Sequence, residues 1–188
     1  MILEFKFTVY LLSMVVFMDV FKAVSSRLEI GEFADKQVPD DVKLRVLEAA
    51  RLSPSGMNTQ HWRFILVDDK KSLRELADMS TTGRWVGEAA FAVIVLTDPK
   101  YPFYKLDAGR VISNMQLVAW EDGVGSRIYT GIDEQKMRVR FNIPQTLEIT
   151  AVVGFGYPKK RVLGRKKRLP LEKVAFRGKY GEPLSLKQ

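Results

Sequence analysis

Apolar positions along this chain follow two spacings, and the switches between them divide it into helices and strands. From Asp40 to Leu52, the residues Val42, Val46, Ala49 and Ala50 fall on one helical face, and Pro54 ends that helix. Trp62-Arg63-Phe64-Ile65-Leu66-Val67 is rich in aromatic and β-branched residues and stops at Asp68-Asp69, the pattern of a buried strand. Leu73 to Met79 predicts a short helix. Ala89 to Leu96 is apolar without interruption, as a strand covered on both faces must be. Between Asp107 and Trp120, Val111, Ile112, Met115, Val118 and Ala119 form a stripe at helical spacing, and Gly123 ends the helix. Such a stripe is usually core; here it is also read as a surface that needs a partner. Asp133 can cap a further short helix that stops before Pro144, and Thr150 to Phe155 returns as a strand. There is no internal repeat, low-complexity linker or domain boundary. The pattern predicts one α+β unit, a central mainly antiparallel sheet flanked by helices with Ala89–Leu96 in its middle.

The N-terminus stands apart. Phe7 to Met18 is a run of uncharged, mostly apolar residues, shorter than the roughly 20 that a membrane span needs. It has the length of a signal-peptide core without a basic start or a small-residue cleavage site. Leu3, Phe5, Phe7 and Val9 alternate with Glu4, Lys6 and Thr8, which is a strand pattern. Residues 1–17 are read as an apolar extension that covers an apolar surface, ahead of a domain at 18–188. Membrane contact by residues 1–17 stays open.

Composition narrows the chemistry. At 188 residues the chain can bury one real core. With no cysteine there is no disulfide, thiolate nucleophile or thiolate-bound metal, and one histidine gives neither a ligand cluster nor a triad with a spare base. No metal site is expected, so hard chemistry would fall to an organic cofactor. The absence of Cys beside many Lys, Arg and Glu fits a thermophilic, cytoplasmic protein. The net charge of +8 gathers in Lys159-Lys160-Arg161 and Arg165-Lys166-Lys167-Arg168. Such a block is usually solvated surface and sometimes a nucleic-acid patch. Without a helix-turn-helix, a metal knuckle or the aromatic spacing of a single-strand platform, no nucleic acid is expected.

The most informative stretch is Pro54-Ser55-Gly56-Met57-Asn58-Thr59-Gln60-His61-Trp62-Arg63-Phe64, a helix stop, a compact polar turn and a strand entry. Its hydroxyl and amides are neutral groups suited to a polar ring, although Ser, Gly and Asn are also ordinary turn formers. The order of residues resembles the FMN-dependent nitroreductase family, which carries Pro-Ser-x-x-Asn-x-Gln-Pro-Trp-x-Phe here. Pro54, Ser55, Asn58, Gln60, Trp62 and Phe64 match, and His61 stands where the family usually has proline. The likeness continues in order through Met18–Val24, Phe33–Asp40, Gly123–Asp133 (similar to the family's flavin-facing loop), Gly154–Pro158 and Lys167–Leu171.

The resemblance implies a homodimer with composite flavin sites and assigns cofactor contacts residue by residue. Arg27, Leu28 and Glu29 lie where the family has an Arg-Arg-Ser-x-Arg cluster at the FMN phosphate and ribityl chain; Arg27 matches, whereas Leu28, Glu29 and Gly31 depart from the pattern. A carboxylate beside a phosphate dianion is repulsive unless it turns away or pairs with a cation. Arg168, with Lys166 second, corresponds to the tail cation that reaches the phosphate. Ser55, Asn58 and Gln60 would face the flavin, from the second subunit. Tyr129, Thr130 and Gly131 would bring backbone N–H groups near N5 and O4, with Gly131 permitting close approach. His61 is read as plain surface, and no general acid or base is assigned. The implied activity is hydride transfer from NAD(P)H through FMN to a small electron-poor acceptor: a nitroaromatic, quinone or activated alkene. A flavin carrier without turnover, or a basic nucleic-acid or membrane-surface binding protein, are the alternatives.

Overall fold

A computed structural model describes residues 18–162 and 164–185; the extension 1–17 and the readings made on it lie outside the described residues. The chain runs α1 (Val20–Ser26), α2 (Asp40–Arg51), β1 (Arg63–Val67), α3 (Lys70–Asp78), β2 (Phe91–Thr97), α4 (Tyr104–Glu121), β3 (Gly125–Tyr129), α5 (Glu134–Phe141) and β4 (Glu148–Gly156). The strands form one sheet in the order β1-β2-β4-β3, and every pairing is antiparallel. Local chemistry sets the helix starts. Asp19, Asp69 and Asp133 each accept a hydrogen bond from the backbone N–H three residues on, satisfying donors that a helix N-terminus leaves free.

β2 is central, as its apolar run predicts, and its alternating side chains feed two cores. Phe91, Val93 and Val95 join Val46, Ala50, Val111, Met115, Val153 and Phe155 beneath α2 and α4. Ala92, Ile94 and Leu96 join Leu73, Leu76, Val86, Met137 and Val152 on the opposite face. Phe91 stacks on Phe155 across the β2–β4 pair at 4.7 Å. Each large side chain so buried contributes about 1.5–3 kcal/mol, which makes this sheet the rigid base for everything above it.

Three expectations are corrected. Trp62 is buried, but the run after it is an edge strand, with Arg63 and Leu66 exposed, since β1 pairs only with β2. Gly125–Tyr129, taken as loop, is a strand because β4 is long enough to pair with both β2 and β3. The α4 stripe needs no partner: Val111, Met115 and Ala119 are fully covered by the chain's own sheet and α2. The exposed apolar residues of the first core's helices are instead Leu44 on α2, Leu52 just after it and Leu106 on α4.

Past β4 the chain becomes an arm. Lys159 N–H bonds Glu32 O at 3.0 Å, and the described part of the segment then runs largely exposed to Ser185, with one short turn at Leu171–Lys173 and a second that brings Phe176 against Pro183. No helix among the described residues is long and apolar enough to cross a membrane.

Candidate functional site

The first part of the site forms where α1 ends. Arg27 closes this helix through its N–H to Ala23 O. Glu29 bridges to Ser126 and Ile30 N–H bonds Ser126 O at 2.9 Å, so the segment after α1 is stitched onto β3. The arm crosses the same place: Leu28 lies against Gly164, and Lys166 Nζ donates to the Val24 carbonyl, one of those left free at a helix C-terminus. Arg168 folds back to donate to Lys167 O at 2.9 Å. Lys166 is thereby held below the usual lysine pKa, first by partial burial and then by the positive charges of Arg27 and Arg168. Cations that repel one another in this way are an arrangement that an anion relieves. Glu29 is turned onto Arg27 at 2.6 Å, with Gln116 at 3.5 Å from the same carboxylate oxygen.

The second part is the turn between α2 and β1. Pro54 follows the helix, Gly56–Asn58 makes one tight turn, and Met57, Asn58 and Gln60 all have positive φ (51°, 55° and 48°). That conformation is tolerable for Asn and costly for the other two. Gln60 N–H bonds Ser55 Oγ at 3.0 Å and Asn58 N–H bonds Ser55 O at 3.0 Å, closing the turn on itself. Gln60 Nε2 donates to Asn58 Oδ1 at 3.2 Å, which leaves the Asn58 amide N–H groups and the Ser55 hydroxyl hydrogen as outward donors. Below it, Asp107 Oδ2 accepts from Gly56 N–H at 2.9 Å.

The third part ends β3. Tyr129 points its ring inward, against Gly83 and edge-on to Trp85, and burial pushes its phenol well above the usual tyrosine pKa. Only its backbone is available to a ligand. Thr130 is exposed. Gly131 is fixed by Thr81 N–H to its carbonyl, and a Cβ there would lie 2.6 Å from the Thr82 hydroxyl oxygen, so the backbone runs closer to that wall than any side chain permits.

The structure thus brings Arg27, Leu28, Glu29, Lys166 and Arg168 together, and β3 links them to Tyr129–Gly131 through Ser126. Ser55, Asn58 and Gln60 form a separate group that, among the described residues, makes no hydrogen bond or ion pair with that cluster. His61 is not surface: it is 5% exposed, with Nε2 3.3 Å from Asp107 Oδ2. Asp107 had no role in the sequence reading, yet a signal was present. It precedes Val111, Met115 and Ala119 at steps of four, which places a carboxylate on the buried stripe.

A model of the Nitroreductase family matches residues 25–99 and 81–157, most of the described chain. The fold has close counterparts: an FMN-dependent nitroreductase of Clostridium difficile superposes with a TM-score of 0.76 at 25% identity, covering 82% of this chain and 97% of that one. An Archaeoglobus fulgidus protein, provisionally named NADH dehydrogenase/NAD(P)H nitroreductase, is 32% identical over 73% of this chain and 84% of its own. Thermotoga neapolitana iodotyrosine deiodinase is 26% identical over 70% and 84%. The α+β sheet and these likenesses define a nitroreductase fold. The chain belongs to the nitroreductase family.

Proposed function

We propose that this protein is an FMN-dependent oxidoreductase that takes electrons from NAD(P)H and passes them to a small electron-poor acceptor such as a nitroaromatic, a quinone or an activated alkene. The observation that carries this reading is the meeting of Arg27, Lys166 and Arg168 where α1, β3 and the arm come together, with Lys166 destabilised as a cation first by its partial burial and then by the other two. FMN, when bound, supplies a two-electron carrier that a nicotinamide can reduce and an acceptor can reoxidise. The chain's own residues bind and orient. The three cations would hold a phosphate, Arg in bidentate fashion and Lys as a point charge. Gly131 would let backbone N–H groups approach a ring edge, and Ser55 and Asn58 would donate to ring carbonyls or ribityl hydroxyls.

A second copy of the chain would complete the site, since the Ser55–Gln60 turn and the cation cluster are separate groups on one protomer. Supporting this, the turn carries Met57 at 90% exposure, and Leu44, Leu52 and Leu106 are exposed as well. The arm likewise presents exposed Leu169, Leu171, Val174 and Tyr180, apolar residues that a second copy would have available to cover. The domain is taken to extend from Met18 through the arm, and the location as cytoplasmic. The likeness to a deiodinase adds reductive dehalogenation to the chemistry worth assaying. The test is steady-state kinetics with NADH or NADPH varied against a quinone or a nitroaromatic. Parallel double-reciprocal lines are expected for donor and acceptor alternating at one face; intersecting lines overturn that alternation, and no turnover with any acceptor overturns the enzyme.

A further inference from the structure

We infer that Asp107, with His61 beside it, is the positioning residue of the Ser55–Gln60 turn, holding it in the shape in which Ser55 and Asn58 meet the flavin; the flavin half of this inference rests on the function proposed above. The Asp107 side chain is 0% exposed and that of His61 1%. A carboxylate without water must be satisfied by protein donors, and three arrive from three directions. Gly56 N–H comes from the turn at 2.9 Å, Arg110 Nη1 from the next turn of α4 at 3.1 Å, and His61 Nε2 from the approach to β1 at 3.3 Å. Asp98 N–H points at His61 Nδ1 at 3.5 Å, so Nδ1 is the acceptor and the ring proton sits on Nε2, directed at Asp107. The imidazole is wedged among Trp62, Tyr101 and Phe103, with ring centroids 5.9, 5.2 and 6.2 Å away.

The turn needs such an anchor. Two residues that are poor in the left-handed region, Met57 and Gln60, adopt it here beside Asn58, and backbone of this kind persists only where its surroundings over-determine it. At Gly56 the Phe103 ring, just before α4, occupies the place of a Cβ, which would lie 2.6 Å from it. The tether from α4 therefore enters at the one residue of the turn that can come this close.

The experiment uses the full chain with Asp107→Asn and His61→Phe. The first keeps the shape of the carboxylate; the second keeps an aromatic ring among Trp62, Tyr101 and Phe103 but removes the donor. Amide hydrogen exchange at Gly56 and Gln60 is followed by NMR without flavin, with Val93 in β2 as the reporter of global stability. FMN affinity and the visible spectrum of bound FMN are then measured. Both variants should speed exchange at Gly56 and Gln60 by about tenfold with Val93 unchanged, raise the FMN Kd about tenfold, and shift the flavin band. His61→Gln, whose amide can donate to Asp107, should recover most of the loss. Unchanged exchange at Gly56 and Gln60 overturns the tether. Faster exchange with an unchanged FMN Kd and band overturns the positioning role and leaves the flavin reading standing. A wild-type chain that binds no FMN overturns the flavin reading itself. Should Asp107→Asn fail to fold, His61→Phe answers the same questions alone.

Discussion

Glu29→Gln should tighten FMN binding. In the free protein a Glu29 carboxylate oxygen lies 2.6 Å from Arg27 Nη1, with Gln116 weakly on the same oxygen. An incoming phosphate must take Arg27 away from this carboxylate and then remain beside its charge. The Glu29 side chain is 44% exposed and that of Arg27 21%, so water screens both effects. A pair this exposed holds about 0.2–1 kcal/mol. A carboxylate some 6 Å from a phosphate dianion adds roughly 1 kcal/mol of repulsion in a water-like dielectric, less at physiological salt. Together these amount to roughly 1–2 kcal/mol, or a Kd lower by about tenfold at low ionic strength. Glutamine keeps the shape and can still accept from Arg27. The assay is quenching of flavin fluorescence at low and high salt, with riboflavin, which lacks the phosphate, as control. FMN should bind tighter, less so in salt, and riboflavin should not change. An equal gain for both flavins would refute the electrostatic reasoning, and weaker FMN binding would show that Glu29 orients Arg27 instead of competing for it.

Other outcomes follow from the same cluster. Losing one charge-assisted hydrogen bond of about 1.5–3 kcal/mol means that Arg168→Ala should weaken FMN by one to two orders of magnitude, the lower end fitting its exposure; Lys159→Ala should barely act, and equal losses in an FMN titration would instead mean a diffuse basic field. Because Lys166 titrates below the ordinary lysine value in the free protein and a bound dianion would raise it, FMN affinity should be flat below that free value and fall as pH rises through it; Lys166→Met should abolish that alkaline loss, and a pH profile identical to wild type would exclude Lys166 from the contact. For composite sites, a protomer with Arg27→Ala and Arg168→Ala mixed with one carrying Ser55→Ala and Asn58→Ala should, after subunit exchange, regain about a quarter of the FMN sites; no recovery would mean that each protomer builds its own.

How much of this was legible in the sequence depended on whether a residue's role is local. The β2 run, the stop at Gly123 (φ 73°) and the Asp133 cap are decided within a few neighbours, and all three read correctly. β1 has the composition of a buried strand but lies at the sheet edge, a position set by pairing order and not by its own residues. β3 begins with glycine and carries Arg127 outward, so its strand character comes from β4 opposite. The α4 stripe was legible as a stripe, but what covers it depends on how α2 packs. Within the candidate site, Arg27 and Arg168 were proposed from the order of motifs, and it is the arm crossing the end of α1 that sets both beside Lys166. The tether was hidden because Asp107, His61 and Gly56 are far apart along the chain, and a lone histidine in a polar turn gives no hint of burial.

The central claim is that this fold binds FMN and cycles it with a nicotinamide. The most direct measurement is an anaerobic titration of the FMN-saturated protein with NADH and with NADPH, followed by visible absorbance and completed by a quinone. The account predicts a yellow protein that bleaches stoichiometrically with at least one nicotinamide and recovers its colour when the quinone is added. A protein that stays colourless in excess FMN, or one that binds FMN and never bleaches, would contradict it.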